Sequence, residues 1–128
     1  MPKYDDLLFS PPAPVARVVL RDPASLNTLS DIPMLIDCGA DVSVIPSHVL
    51  DRLGAVVDSN DGVEMVGFDG RARISPLARL DLSFAGKTFK GRFPILSQKE
   101  QDWGIIGRDI FNHVVTVLDG PGLEWSLK

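Results

Sequence analysis

The sequence predicts an all-β domain, a small barrel or sandwich of short strands. Three observations lead there. Apolar, β-branched runs recur in short segments, and turn signals built on Gly, Pro, Asp and Asn separate nearly every pair of them. Alternation of period two is clear at Ala78–Phe84, where Ala78, Leu80, Leu82 and Phe84 alternate with Arg79, Asp81 and Ser83. That is the pattern of a half-buried strand, and many short strands with frequent turns suit a small barrel or sandwich.

The elements follow in order. Residues 1–14 carry four of the ten prolines, including Pro11, Pro12 and Pro14. Proline fixes φ and removes a backbone donor, so this stretch reads as an extended arm, with the folded domain at 15–128. Val15–Leu20 and Ile32–Ile36 are apolar strands, and Val42–Ile45 reads as a third. Ser47 is placed to cap a short helix through Leu53, with Gly54 as its stop. Val63–Val66 and Arg71–Ile74 flank Gly67-Phe68-Asp69-Gly70, a glycine-bearing hairpin tip. Ala78–Phe84 is followed by a turn at Ala85-Gly86 and a return strand carrying Phe89 and Phe93. Trp103–Ile106 and Val114–Leu118 are strands separated by one helical turn near Arg108–Asn112. Asp119-Gly120-Pro121-Gly122 is a turn, and Leu123–Leu127 a final strand.

Composition narrows the function classes. A chain of 128 residues fits one domain. Seventeen acidic against 13 basic side chains argue against a general binder of nucleic acid or anionic membranes. One cysteine excludes an intrachain disulfide framework and a multi-cysteine zinc site. No apolar run approaches the ~18 residues of a membrane-spanning helix. The first residues do not read as a secretory leader, so the expected location is cytoplasmic. His48 and His113 are isolated, with no His-Glu-x-x-His pattern, so no metal is expected. No serine sits in a Gly-x-Ser-x-Gly elbow. Gly67–Gly70 is too short to cradle phosphate and leads into a strand-like run. Arg71, Arg73, Arg79, Lys87, Lys90 and Arg92 read as a solvated sheet face.

The informative segment is Met34-Leu35-Ile36-Asp37-Cys38-Gly39-Ala40-Asp41-Val42-Ser43-Val44-Ile45. An apolar strand delivers Asp37 into a tight glycine turn, and a second apolar run leads away. Alone, this is as compatible with an ordinary turn as with a carboxylate held on a rigid loop to act as a general base. It has a companion in Gly104-Ile105-Ile106-Gly107-Arg108-Asp109-Ile110, which lies 70 residues downstream counting Asp37 to Gly107. The glycine-tipped hairpin Met65–Arg71 lies between them. These three segments, in this order and spacing, resemble the retropepsin family of aspartic proteases, the retroviral proteases and their cellular relatives. The resemblance extends over roughly residues 15–128.

The resemblance implies a small closed β-barrel of the retropepsin type with one or two short helices, active as a two-fold homodimer that hydrolyses peptide bonds. One Asp-x-Gly loop supplies one carboxylate, so the family's two-aspartate site requires Asp37 from each subunit at the symmetry axis. Two carboxylates so close would share a proton, the ionised one activating water and the protonated one polarising the scissile carbonyl. No metal or cofactor is implied. Cys38, Gly39, Ala40 and Asp41 would complete the active-site loop. Met65, Val66, Gly67, Phe68, Asp69 and Gly70 would form the flap over substrate. Val44, Trp103, Ile105 and Ile106 would line pockets, with Val66, and Arg108 would brace the loop through Asp41. The alternatives are ordinary core packing for the apolar residues and unrelated surface charges for the pair. The strands Val114–Leu118 and Leu123–Leu127 would contribute to a dimer-interface sheet. One departure stands out. The family carries Thr or Ser where Cys38 stands, and a thiol is a much weaker donor across the dimer axis. A catalytically weak or silent dimer that binds extended peptides without cutting them is therefore the alternative reading.

Overall fold

A computed structural model describes residues 2–66, 70, 72–96 and 101–128, and among these described residues the chain forms nine strands and two short helices. β1 (Val15–Arg21) buries Val15, Ala16, Val18 and Leu20, and Arg17 and Val19 face outward. β2 (Thr28–Ile36) runs antiparallel to it, from Val15↔Leu35 to Arg21↔Thr28. β3 is only Ile45–Pro46. The Val42–Ile45 strand expected from apolar character is therefore shorter. Ser43 spends its backbone N–H and its hydroxyl on Asp109 instead of on a neighbouring strand.

α1 (His48–Leu53) packs Val49, Leu50 and Leu53 inward and ends at Gly54, whose φ of 67° is the left-handed stop the sequence leads one to expect. Ser47 sits at the N-cap, yet its hydroxyl caps nothing. Its own dihedrals are already helical (φ −62°, ψ −31°), not the extended values that aim a capping side chain at the first turn.

β4 (Val57–Val66) and β5 (Ala72–Phe84) form the long central hairpin, ending at Val66↔Ala72. β6 (Lys87–Leu96) returns along β5 after a two-residue turn. Ala85 and Gly86 have φ of 50° and 76°, the paired positive values that match the twist of a two-residue hairpin. β7 (Gly104–Ile106) pairs in parallel with the end of β2, and α2 (Arg108–Phe111) follows. β8 (Thr116–Asp119) and β9 (Glu124–Leu127) form a separate two-stranded sheet. β8 starts later than the sequence suggests because His113 and Val114 still donate backward into the turn that leaves α2.

The main sheet runs β3-β6-β5-β1-β2-β7, with β4 attached to β5. Val44, just before β3, exchanges both backbone bonds with Ile105 of β7, at 2.8 and 2.9 Å. That bridge brings the two ends of the path together. Inside lie Val18, Leu20, Met34, Ile45, Leu53, Leu80, Leu82 and Ile106, all essentially inaccessible. Trp125 of β9 ties the terminal hairpin to this body. It is buried, donates from Nε1 to the Val15 carbonyl at 3.2 Å, and packs near Phe84.

The N-terminal segment lies against the outer edge of β9. Tyr4 donates to the Leu123 carbonyl at 2.8 Å, and Trp125 donates to the Pro2 carbonyl at 3.0 Å. Asp5 then turns the arm onto β1 through an ion pair with Arg17 at 2.7 Å. No helix among the described residues is long and apolar enough to cross a membrane.

Candidate active site

The site is built where β2 stops. Its last residues, Met34-Leu35-Ile36, pair with Gly104-Ile105-Ile106, so the chain leaving β2 emerges beside the chain leaving β7. Asp37 is the first residue past the strand, and its N–H still reaches the Ile106 carbonyl at 3.0 Å. The loop then closes on itself. Gly39 N–H donates to Asp37 Oδ1 at 2.9 Å, and Ala40 N–H to the Asp37 carbonyl at 3.1 Å. Glycine at 39 spares the carboxylate a tight contact, since a Cβ there would stand 3.1 Å from Asp37 Oδ1.

The turn into α2 locks this loop from below. Arg108 N–H donates to the Ala40 carbonyl at 2.9 Å, and its Nη1 to the Cys38 carbonyl at 2.8 Å. Its Nη2 forms an ion pair with Asp41 Oδ1. Both side chains are largely exposed, so screening limits what the charge pair contributes. The bond to the Cys38 carbonyl positions the loop more directly. Cys38 and Gly39 are themselves exposed, with Asp37 half-buried beside them.

Ser43 is a fully buried hydroxyl between the two motifs. It donates to Asp109 Oδ1 at 2.7 Å and accepts the Gly107 N–H at 3.0 Å, and the Ser43 N–H reaches Asp109 Oδ2 at 3.0 Å. Ser43 and Gly107 each lie in one of the two motifs, yet the sequence assigns neither a role of its own. The available signal was a lone polar residue inside the apolar run Val42-Ser43-Val44, which burial obliges to find partners. Ser43→Ala is expected to leave the buried Gly107 N–H without an acceptor and to lower stability by about 1–3 kcal/mol. Chemical denaturation of the two proteins measures it, and equal midpoints would refute the bridging role.

The sequence-designated residues are distributed unevenly. Asp37, Cys38, Gly39, Ala40, Asp41 and Arg108 are brought into one hydrogen-bonded unit. Of the pocket residues, Ile105 and Trp103 keep accessible surface, whereas Val44 and Ile106 are buried, Ile106 within the core cluster. Met65 and Val66 pair with Arg73 and Ala72 at the end of β4, and Val66 is exposed. Gly70 has a φ of 75°. Gly67, Phe68, Asp69 and Arg71 lie outside the described residues. No group of His, Cys, Asp and Glu among the described residues could hold a metal ion.

The carboxylates on these two segments differ in what holds them. Asp109 has both oxygens engaged by Ser43, and Asp41 faces Arg108. Asp37 accepts only from Gly39, through Oδ1, and its Oδ2 has no partner among the described residues. Of these three carboxylates it alone has no side-chain partner among the described residues.

Two comparisons with known proteins bear on the family and the fold. The aspartyl protease family model matches residues 23–110, the span that contains both the Asp37 loop and Arg108. EIAV protease complexed with the inhibitor HBY-793 superposes with a TM-score of 0.60 at 22% identity, covering 84% of this chain and 90% of that one. At that identity the likeness is one of fold, and the mostly-β architecture with few short helices matches it. No curated protein matches significantly.

Proposed function

We propose, for a chain that belongs to the aspartyl protease family, that it is an aspartic endopeptidase whose site is completed by a second copy of itself. The observation that carries this reading is Asp37, fixed by backbone bonds at the mouth of β2 yet with Oδ2 unpartnered among the described residues. Water attack on an amide needs a base for the water and an acid for the carbonyl, and one carboxylate cannot be both at once. The neighbouring carboxylates Asp41 and Asp109 are held by Arg108 and Ser43. The second group is therefore Asp37 of another subunit across a two-fold axis, the commonest assembly symmetry.

The chemistry follows from that pairing. The ionised aspartate accepts a proton from water as its oxygen adds to the scissile carbonyl carbon. The protonated aspartate donates to the carbonyl oxygen, giving a neutral tetrahedral diol. Proton return to the amine nitrogen then accompanies C–N cleavage, leaving a carboxylic acid and an amine. No covalent enzyme intermediate and no metal or cofactor takes part. Arg108 holds the loop carbonyl at Cys38, and the exposed Gly39 leaves a substrate backbone room beside Asp37. Residues 65–70 would cover the bound peptide. Cys38, exposed and free, suits a reducing cytoplasm.

The test is incubation of the pure protein with a diverse peptide mixture from pH 4 to 7, with mass analysis of the products. Internal cleavage that a pepstatin-type inhibitor suppresses is the expected result. Peptides that bind but stay whole would indicate the silent dimer. Specific activity is also expected to fall on dilution past the dimer dissociation constant, because half a site has no dyad. A protein that is monomeric by light scattering and still fully active would overturn the two-fold argument.

A further inference from the structure

We propose that Phe9, on the N-terminal arm, is a specificity-determining residue of this site. With Trp103 it forms an aromatic wall that selects peptides carrying an aromatic side chain next to the scissile bond. The inference rests on the protease reading above. The two rings lie 4.8 Å apart at 62°, the edge-to-face arrangement that aromatic quadrupoles favour. Both are half-buried, so each keeps surface for a third group.

The wall lies just ahead of β7, where Trp103 precedes Gly104. Side chains alternate along an extended chain. Ile106 points into the core and is inaccessible, so Ile105 belongs to the opposite face, and Trp103, just before the strand, keeps accessible surface as Ile105 does. The carbonyl of Ile106 anchors Asp37. Trp103 is three residues upstream, roughly 10 Å along an extended chain. That distance suits a substrate side chain flanking a bond held at Asp37.

Phe9 is held in place at both ends of its loop. Asp5 and Ala13 exchange backbone bonds at 2.7 and 3.0 Å, closing the segment between them. The Asp5 carboxylate, nearly buried, accepts from the N–H groups of Leu7 and Leu8 at 2.9 and 2.7 Å and pairs with Arg17. On the other side Gln101 Nε2 donates to the Trp103 carbonyl at 3.0 Å. A segment that sequence composition presents as an extended proline-rich arm thus delivers one ring against Trp103. A preorganised aromatic surface of this kind favours an aromatic ligand group over a small one.

The experiment compares the full chain with Phe9→Ala and Phe9→Tyr. The probes are two non-cleavable reduced-amide peptides, with Phe or Ala preceding the reduced bond, and their affinities are measured by calorimetry. The amide parents are tested for cleavage in parallel. The unsubstituted protein is expected to prefer the Phe probe. Phe9→Ala is expected to shrink that preference about two- to tenfold, and Phe9→Tyr to retain it. An unchanged preference in Phe9→Ala overturns the proposal, as does failure of the unsubstituted protein to bind either probe. Tighter binding of the Phe probe by Phe9→Ala also overturns it, since Phe9 would then be a plug. A Phe9-dependent preference without cleavage of the parents would leave this inference standing and remove the protease reading. Cleavage with a Phe9-independent preference would do the reverse.

Discussion

Asp37→Asn is expected to lower the turnover number by about a hundred- to ten-thousandfold while leaving the fold unchanged. Asparagine is nearly isosteric, and its side-chain oxygen can still accept the Gly39 N–H that Asp37 Oδ1 accepts at 2.9 Å. The backbone bond to Ile106 is unaffected. What disappears is the capacity to take a proton from water, and positioned acid–base groups typically contribute on that scale. Single-turnover cleavage at enzyme concentrations above dimer dissociation, with circular dichroism on the same samples, measures both halves of the expectation. Undiminished hydrolysis would remove Asp37 from the mechanism. Loss of both activity and fold would show instead that the carboxylate is structural.

Gly107→Ala is expected to be a damaging substitution in the site's scaffold. Gly107 is extended (φ −107°, ψ −168°), so the argument is one of space. A Cβ there would lie 2.7 Å from the Val42 carbonyl carbon and oxygen and 2.8 Å from the Ala40 oxygen. All three are backbone atoms. The Ala40 carbonyl also accepts the Arg108 N–H that ties the two motifs together. Nothing can rotate aside, so the loop must move or the turn must open. Overpacking of this kind costs about 1–3 kcal/mol, which for a domain of this size lowers Tm by roughly 3–15 °C. Gly120→Ala is the control, because a Cβ at 120 meets nothing within 4 Å. A thermal melt in which both variants match the unsubstituted protein would refute the close-approach argument. Because the moved loop carries Asp37, activity is expected to fall with stability.

Much of the fold is visible in local sequence. The alternation at 78–84 and the Ala85-Gly86 turn foretell the β5–β6 hairpin, because period-two burial and a positive-φ turn are decided within a few residues. Gly54 ends α1 for the same reason. Misjudged boundaries have a common cause. Val42–Ile45 looks like a strand by composition, but Ser43 finds a partner 66 residues away and leaves the ladder. Ser47 has the chemistry of a cap without the dihedrals.

The site divides along the same line. Asp37, Gly39 and Arg108 were legible because two short motifs, each with its own chemistry, stand at a spacing that resembles a known family. That resemblance also pointed to the Asp41–Arg108 pair. By itself the sequence determined the family, the β class and the carboxylate on its glycine turn. Those depend on side-chain periodicity, turn chemistry and motif order, which are properties of neighbouring residues. Only the tertiary structure decided that Ser43 bridges Asp109 and Gly107, that Gly107 has no room for a methyl group, that Ile106 and Val44 are buried, and that Phe9 lies against Trp103. Each of those depends on the parallel pairing of β2 with β7 or on the arm closing through Asp5. Such contacts join residues dozens of positions apart, and no local pattern encodes which distant surface a side chain will meet.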